Sequence, residues 1–198
     1  MLLYNSQVSG NCYKVRLLLA HLGIEYERQE LDVVDRSNRP EVLGGLNPAL
    51  RVPTLVFDDG RSLGESNAIV NYFAEGTPYL PEDRFERAQV LQWQFFEQYD
   101  HEPNIAVARF LVAFSGTNPS EADLERQRRG GYRALDAMEG HLADRQFLVG
   151  ERYSIADISL YAYTHVADEG GFDLSRYPAI NSWLERVAGQ PGHVPITA

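Results

Sequence analysis

The stretch from Val52-Pro53-Thr54-Leu55 to Gly64-Glu65-Ser66-Asn67-Ala68-Ile69 constrains this chain more than any other. Proline has no amide hydrogen to give a sheet, so Pro53 belongs at the start or edge of a strand. Thr54–Asp58 and Arg61–Gly64 flank Asp59-Gly60, a residue pair that a two-residue hairpin turn favours. An acidic residue and a hydroxyl, Glu65 and Ser66, then open a helix over Ser66–Glu75, with Ala68, Ile69, Tyr72 and Phe73 predicted on its apolar side. A strand opened by proline, a hairpin and a polar helix start together form a ligand-holding arrangement.

The residues before this segment extend the alternation. Met1–Tyr4 reads as a short buried strand. Asn11–Leu22 places Val15, Leu18, Leu19 and Leu22 at i, i+3, i+4 and i+7, one face of a helix, and Gly23 suits its stop. Tyr26–Leu31 reads as a second strand and Pro40–Leu46 as a short helix. The order β-α-β-α-β-β-α predicts a first strand pair that is parallel, because a helix joins it, and a last pair that is an antiparallel hairpin.

Gly76-Thr77-Pro78-Tyr79-Leu80-Pro81 breaks the pattern, and strand signals fade beyond it. The expected organisation is an α/β domain over 1–76, a linker over 77–83 and an all-α domain over 84–198. Arg84–Phe114 is helical in period, with a bend expected near Pro103. Further helices are predicted over Glu121–Leu142, Ser154–Glu169 and Pro178–Ala188. Ser154-Ile155-Ala156-Asp157 has the spacing of a capping box, with Tyr153 and Ile158 placed for a hydrophobic staple.

Charge removes several function classes. The formal net charge is −10, with 7 basic against 10 acidic residues in 1–76 and 11 against 18 in the remainder, so neither half has the cationic surface that nucleic-acid phosphates require. A single cysteine, Cys12, precludes an internal disulfide and fits a reducing compartment. No signal peptide is evident at Met-Leu-Leu-Tyr-Asn-Ser, and no apolar run approaches the roughly 20 residues of a membrane span. The expectation is a cytoplasmic protein without nucleic-acid or membrane partners. The histidines His21, His101, His141, His165 and His193 lack metal-ligand spacing, so no metal is expected. Glycine-rich phosphate loops and a Gly-x-Ser-x-Gly elbow are missing, so neither a nucleotide cofactor nor a hydrolase triad is expected.

Three places could carry chemistry. Glu65 can pair with an α-ammonium and Ser66 can donate to a carboxylate, which together match an amino-acid end; ordinary helix capping would use the same residues. Val52-Pro53 could be trans, the commoner isomer, or cis, which would turn the Val52 backbone outward toward an extended peptide. In Ser6-Gln7-Val8-Ser9-Gly10-Asn11-Cys12 a hydroxyl or amide could donate to a sulfur at the helix start, or Ser9 or Asn11 could cap the helix. Cys12 is a tempting nucleophile, but without a Cys-x-x-Cys partner it reads better as a buried, inert side chain.

Taken in order and spacing, Tyr4-Asn5-Ser6 through Lys14-Val15-Arg16, Leu46-Asn47-Pro48, Val52-Pro53-Thr54-Leu55, Glu65-Ser66-Asn67-Ala68-Ile69 and Ser154-Ile155-Ala156-Asp157-Ile158 resemble the cytosolic glutathione transferases over essentially the whole chain, nearest to bacterial zeta-, nu- and delta-like patterns. The resemblance implies a thioredoxin-like N-terminal domain that binds glutathione as co-substrate and an all-α C-terminal domain that supplies the acceptor pocket. It implies a cis bond before Pro53, Val52 backbone contacts to the cysteinyl part, and Glu65 and Ser66 on the γ-glutamyl end. It also implies a homodimer, with Ser66–Glu75 and Arg84–Tyr99 near the partner.

Aligned on Lys14-Val15-Arg16, Ser9 falls at the zeta-like catalytic serine or nu-like threonine, and Asn11 at the nu-like asparagine or beta-like cysteine. Ser9 is therefore the expected sulfur activator, assisted or replaced by Asn11. Leu50 stands where delta-like enzymes carry a glutathione-binding histidine; Arg51 or Arg39 could meet the glycine carboxylate instead. Ser9-Gly10-Asn11 replaces the zeta-like serine-serine-cysteine run and weakens a maleylacetoacetate-isomerase reading. Phe96, Tyr99 and Arg109 are the acceptor-pocket candidates. The implied function is a glutathione S-transferase joining the glutathione thiolate to an electrophilic hydrophobic acceptor in detoxification; alternatives are a glutathione-dependent disulfide or peroxide reductase and a binding module without catalysis.

Overall fold

The computed structural model describes residues 1–198. The chain forms two compact units, one of Met1–Thr77 together with Pro191–Ala198 and one of Pro78–Gln190. The first unit holds a four-stranded sheet in the order β2-β1-β3-β4, where β1 is Leu2–Asn5, β2 Glu27–Glu30, β3 Thr54–Val56 and β4 Ser62–Gly64. β1 runs parallel to β2 and antiparallel to β3, and β3 and β4 form the expected antiparallel hairpin. With α1 (Gly10–Leu22), α2 (Arg39–Leu43) and α3 (Ser66–Ala74), this is the thioredoxin-like arrangement.

The hairpin loop differs from the two-residue turn expected at Asp59-Gly60. Gly60 N donates to Phe57 O and Phe57 N to Arg61 O, each at 2.9 Å, so Asp58, Asp59 and Gly60 form a three-residue loop. Only Gly60 has positive φ (83°), whereas a type I′ turn needs it at both central positions.

α1 starts at Ser9, whose hydroxyl accepts from Cys12 N, and stops at Gly23 in the left-handed conformation. It is buried on more than the single face its periodicity predicts. Val15, Leu18 and Leu19 enter the core, while Tyr13 and Arg16 are covered by the C-terminal tail. Tyr13 Oη donates to Val194 O at 2.7 Å, Arg16 donates to Ile196 O at 2.6 Å, and Gln7 Nε2 donates to Ile196 O and Ala198 O. Pro191–Ala198 therefore belong with the first unit, not with the helical domain the sequence assigned them to. In α3 the buried residues are Ser66, Ile69, Val70 and Ala74; Ala68 and Tyr72, expected on the apolar side, are exposed. Tyr72 instead packs its ring on Phe57 and Phe73 at the surface.

The second unit is all helical. α4 (Arg84–Phe96) passes through a π-helical turn, Glu97–His101, into α5 (Glu102–Ala113), so the irregularity expected near Pro103 lies just before the proline, which is the second residue of α5. α6 (Glu121–Leu142) and α8 (Pro178–Ala188) coincide with the predicted spans. α7 ends earlier than expected, at Ile155–Thr164, followed by a 3-10 turn at Ala167–Gly170. Mid-helix glycines cost α6 about 1 kcal/mol each, but a Cβ on Gly131 would lie 2.4 Å from the Phe172 ring and 3.1 Å from Ile105, so the seating of Phe172 against α6 requires the glycine.

The capping box at α7 is present, and it is larger than the sequence shows. Asp157 is fully buried and accepts from Ser154 N and Oγ, Leu148 N and Trp183 Nε1. One carboxylate thus fixes a helix start, the preceding loop and α8. No helix is long and apolar enough to cross a membrane.

Candidate functional site

The site builds from the first turns of α1 and α3. Both helices lie in the first unit and pack against each other. Ser66 is the first residue of α3 and is buried; its hydroxyl donates to Asn11 Oδ1, in the first turn of α1, at 3.2 Å. Lys14 Nζ donates to the same Asn11 oxygen at 2.8 Å and lies 3.4 Å from Ser66 Oγ. Asn11 and Ser66, predicted separately from sequence, are therefore parts of one cluster.

Glu65 precedes this cluster with an exposed side chain and φ of 63°. A non-glycine residue in that region carries backbone strain of about 1–3 kcal/mol, and such strain gathers at ligand sites. Its side chain makes no capping hydrogen bond to α3, so the simple capping role does not apply to it. The residue is held in a costly conformation with its carboxylate turned to solvent.

Val52-Pro53 is a cis peptide, as the resemblance implied. Pro53 is buried and Val52 half-buried. The loop before them is shaped by buried Asn47. Its Nδ2 donates to Thr54 Oγ1 and to Arg51 O, and its Oδ1 accepts from Ala49 N. Leu50 also has positive φ (52°). Asn47 is thus the residue of Leu46-Asn47-Pro48 that organises the loop before cis-Pro53. Arg51 is exposed. Arg39 is not available as an anion binder: its guanidinium is buried and donates to Leu50 O and Asp32 O.

Ser9 is half-buried, and its oxygen caps α1 by accepting from Cys12 N at 3.3 Å. Capping uses an oxygen lone pair and leaves the hydroxyl hydrogen to donate. No hydrogen bond joins Ser9 to the Asn11–Ser66–Lys14 cluster. The loop around it is wired from below: Arg16 donates to Asn5 Oδ1, Ser6 O and Gln7 O, and Glu30 accepts from Asn5 Nδ2 and Gln7 N. Cys12 is fully buried, and burial pushes its thiol up to about 11 although Ser6 N and the Ser9 hydroxyl oppose the shift, so it is a thiol and not a nucleophile at neutral pH.

In the second unit, Tyr99 is 83% exposed, Phe96 is half-buried, and Arg109 is buried in an ion pair with Glu169 at 2.9 Å while resting on the Phe114 ring. Arg109 is a packing residue of the helical unit. No cluster of three or more His, Cys, Asp or Glu side chains is assembled anywhere in the chain.

Lys14, which the sequence reading used only as a landmark for alignment, lies against Asn11 and Ser66. A signal for it was available: it is the only lysine among 18 basic residues, the rest being arginine. Its complete burial is what the structure adds.

A thioredoxin-like unit with a cis-proline loop, paired with an all-helical unit, defines a class of architecture that comparison with known proteins makes specific. Residues 8–75 match the glutathione S-transferase N-terminal domain and residues 99–191 the glutathione S-transferase C-terminal domain. The chain belongs to the glutathione S-transferase family. It is 51% identical to a glutathione S-transferase from Pseudomonas fluorescens Pf-5 of known crystal structure, with a TM-score of 0.96 over 100% of this chain and 98% of that one. It is 32% identical over 190 residues to the disulfide-bond oxidoreductase YfcG of Escherichia coli K12, covering 91% of this chain and 87% of YfcG. Ure2p solved in complex with glutathione is 26% identical, with a TM-score of 0.84 over 96% of this chain and 90% of that one.

Proposed function

We propose that this chain is a glutathione transferase that joins the glutathione thiolate to an electrophilic carbon of an apolar acceptor. The observation that carries the reading is the Glu65-Ser66 pair: a strained, exposed carboxylate beside a buried hydroxyl at a helix start, tied to Asn11 of the sulfur-activating loop. Glu65 takes the α-ammonium of the γ-glutamyl end and Ser66 its carboxylate. The Val52 backbone before cis-Pro53 pairs with the cysteinyl part, and Arg51 meets the glycine carboxylate.

Ser9 donates its hydroxyl hydrogen to the sulfur, with Asn11 assisting. Hydrogen bonds to the thiolate favour it over the thiol, and each unit by which the thiol pKa falls is worth about 1.4 kcal/mol. The thiolate then attacks the acceptor carbon, a carbon–sulfur bond forms, and the leaving group departs with the electron pair. The protein holds both reactants close and forms no covalent intermediate with them. The reading includes a homodimer, supported by the apolar row Leu91, Phe95 and Tyr99 exposed at i, i+4 and i+8.

Glutathione-dependent disulfide reduction is the second reading, favoured by the identity to YfcG and by the placement of Asn11 at the centre of the cluster. The test is a titration with glutathione and, separately, glutathione disulfide, following heat and thiolate absorbance in wild type and Ser9→Ala. A thiolate signal lost in Ser9→Ala supports the transferase mechanism; one that survives moves sulfur activation to Asn11. Preference for the disulfide favours the reductase, and binding of neither ligand overturns both.

A further inference from the structure

Residues Pro191–Ala198 lie on the first unit, held by side chains that donate to the tail's backbone carbonyls. His21 Nδ1 donates to Pro191 O at 2.9 Å. Tyr13 Oη, which also meets His193 Nε2 at 3.2 Å, donates to Val194 O. Arg16 donates to Ile196 O, and Arg28 Nη1 to Ala198 O at 2.9 Å. Ala198 N donates to Pro195 O at 3.0 Å, so the tail makes a turn of its own. Gln7 reaches these same carbonyls from the other side: its Nε2 donates to Ile196 O at 3.2 Å and to Ala198 O at 2.9 Å. Gln7 sits inside the turn that Ser9 N closes onto Ser6 O at 3.0 Å. The tail is therefore joined, through one side chain, to the loop that ends at Ser9.

We infer that Pro191–Ala198 is a strap that positions the Ser6–Ser9 turn, fixing through Gln7 where the Ser9 hydroxyl stands relative to a ligand sulfur. This rests on the glutathione reading above and deepens it. The backbone of the turn is anchored below, with Gln7 N on Glu30 Oε2 and Gln7 O under Arg16 Nη2. The Gln7 side chain adds an anchor on the tail, at carbonyls that Arg16 and Arg28 hold in place. Ser9 Oγ is committed to Cys12 N, so its hydroxyl hydrogen reaches sulfur only where the turn's backbone puts it. A misplacement of about 1 Å can cost about a hundredfold in rate, so an added anchor beside Ser9 has a functional consequence. The tail offers carbonyls, which every residue carries, so the contact is encoded in Gln7, Tyr13 and Arg16.

Two single substitutions test the inference. Gln7→Met keeps the side chain's length and the backbone anchors but cannot donate to Ile196 O and Ala198 O. Tyr13→Phe removes the hydroxyl that holds Val194 O and leaves every atom of Ser6–Ser9 in place. Each is compared with wild type by the absorbance of the bound thiolate, at a pH below the bound thiol's midpoint. Affinities are measured for glutathione and for S-methylglutathione, which has no ionisable sulfur, with thermal unfolding as the check on folding. The expected result in Gln7→Met is a thiolate fraction lowered about fivefold, the scale of one hydrogen bond, with S-methylglutathione affinity within about twofold of wild type. Tyr13→Phe should give a smaller loss of thiolate in the same direction. A wild-type thiolate fraction in either folded variant, or an equal loss of affinity for the two ligands, overturns the inference and leaves the glutathione reading in place. A wild type that binds neither ligand overturns both.

A double-variant cycle shows whether the strap acts through Ser9. In a Ser9→Ala background, Gln7→Met should lower the thiolate fraction no further, because the group it positions is gone. A full additional loss there, or a thiolate indifferent to Ser9→Ala, would mean that the tail serves the fold and not the sulfur, and contradicts the inference.

Discussion

Asn11 Oδ1 and Ser66 Oγ lie 3.2 Å apart although 55 positions separate them in the chain. That bond joins the loop expected to activate sulfur to the helix start expected to hold the γ-glutamyl end.

Arg16 holds the floor of the Ser6–Ser9 turn. It is buried and donates to Asn5 Oδ1, Ser6 O, Gln7 O and Ile196 O. Arg16→Met leaves those acceptors without their donor and should cost about 3 kcal/mol in chemical denaturation. Glutathione affinity should fall with it, because Ser9 sits on the loosened turn. Arg16→Lys should not restore either quantity, since one ammonium cannot span what the planar guanidinium spans.

Asp157 makes stability depend on pH. Burial raises its carboxyl from 3.8 to about 6, against the opposing pull of Leu148 N, Trp183 Nε1 and Ser154. The folded state therefore holds the proton more tightly than the unfolded chain. The stabilisation from that proton is full below about pH 4 and is lost as pH rises through about 6, a change on the order of 3 kcal/mol. In urea denaturation, the stability of wild type minus that of Asp157→Asn should fall between pH 4 and 6 and level off above. A difference that is flat across this window would contradict the assignment.

Cys12 should be silent. With no exposed surface and its thiol pushed up to about 11, it should react with a disulfide reagent at pH 7.5 only in denaturant. Cys12→Ala should bind glutathione within about twofold of wild type, as expected for a residue outside the binding contacts. Rapid labelling of the native protein, blocked by glutathione, would make Cys12 part of the site.

Much of this was legible in the sequence, for identifiable reasons. Ser154-x-x-Asp157, Gly23 and the periodicity of Glu121–Leu142 are local signals, and the elements they mark start or stop where expected. The faces of α3 were harder: Ala68, Ile69, Val70, Tyr72, Phe73 and Ala74 are apolar almost all round, so period alone could not choose Ile69, Val70 and Ala74 for the core. The tail was invisible because Arg16, Gln7 and Tyr13 bind its backbone carbonyls, which every residue carries. In the site, Glu65 and Ser66 are marked by their motif, whereas the contact of Lys14 with Ser66 spans 52 positions, and no local pattern records that reach.

The exposed apolar side chains on α4 and the π-helical turn after it should mediate self-association. Leu91, Phe95 and Tyr99 are 45%, 71% and 83% exposed, and exposed apolar side chains grouped together mark interaction surfaces. Sedimentation should give a dimer for wild type and a monomer for Phe95→Glu. A monomeric wild type would remove the homodimer from the account.

The most direct test of the central claim is calorimetric titration of glutathione into wild type and Ser66→Ala. The account predicts saturable binding at one site per chain, weakened by about tenfold or more when the buried hydroxyl is removed, the scale of a hydrogen bond to a charged group. Binding that is absent from wild type, or unchanged in Ser66→Ala, would contradict it.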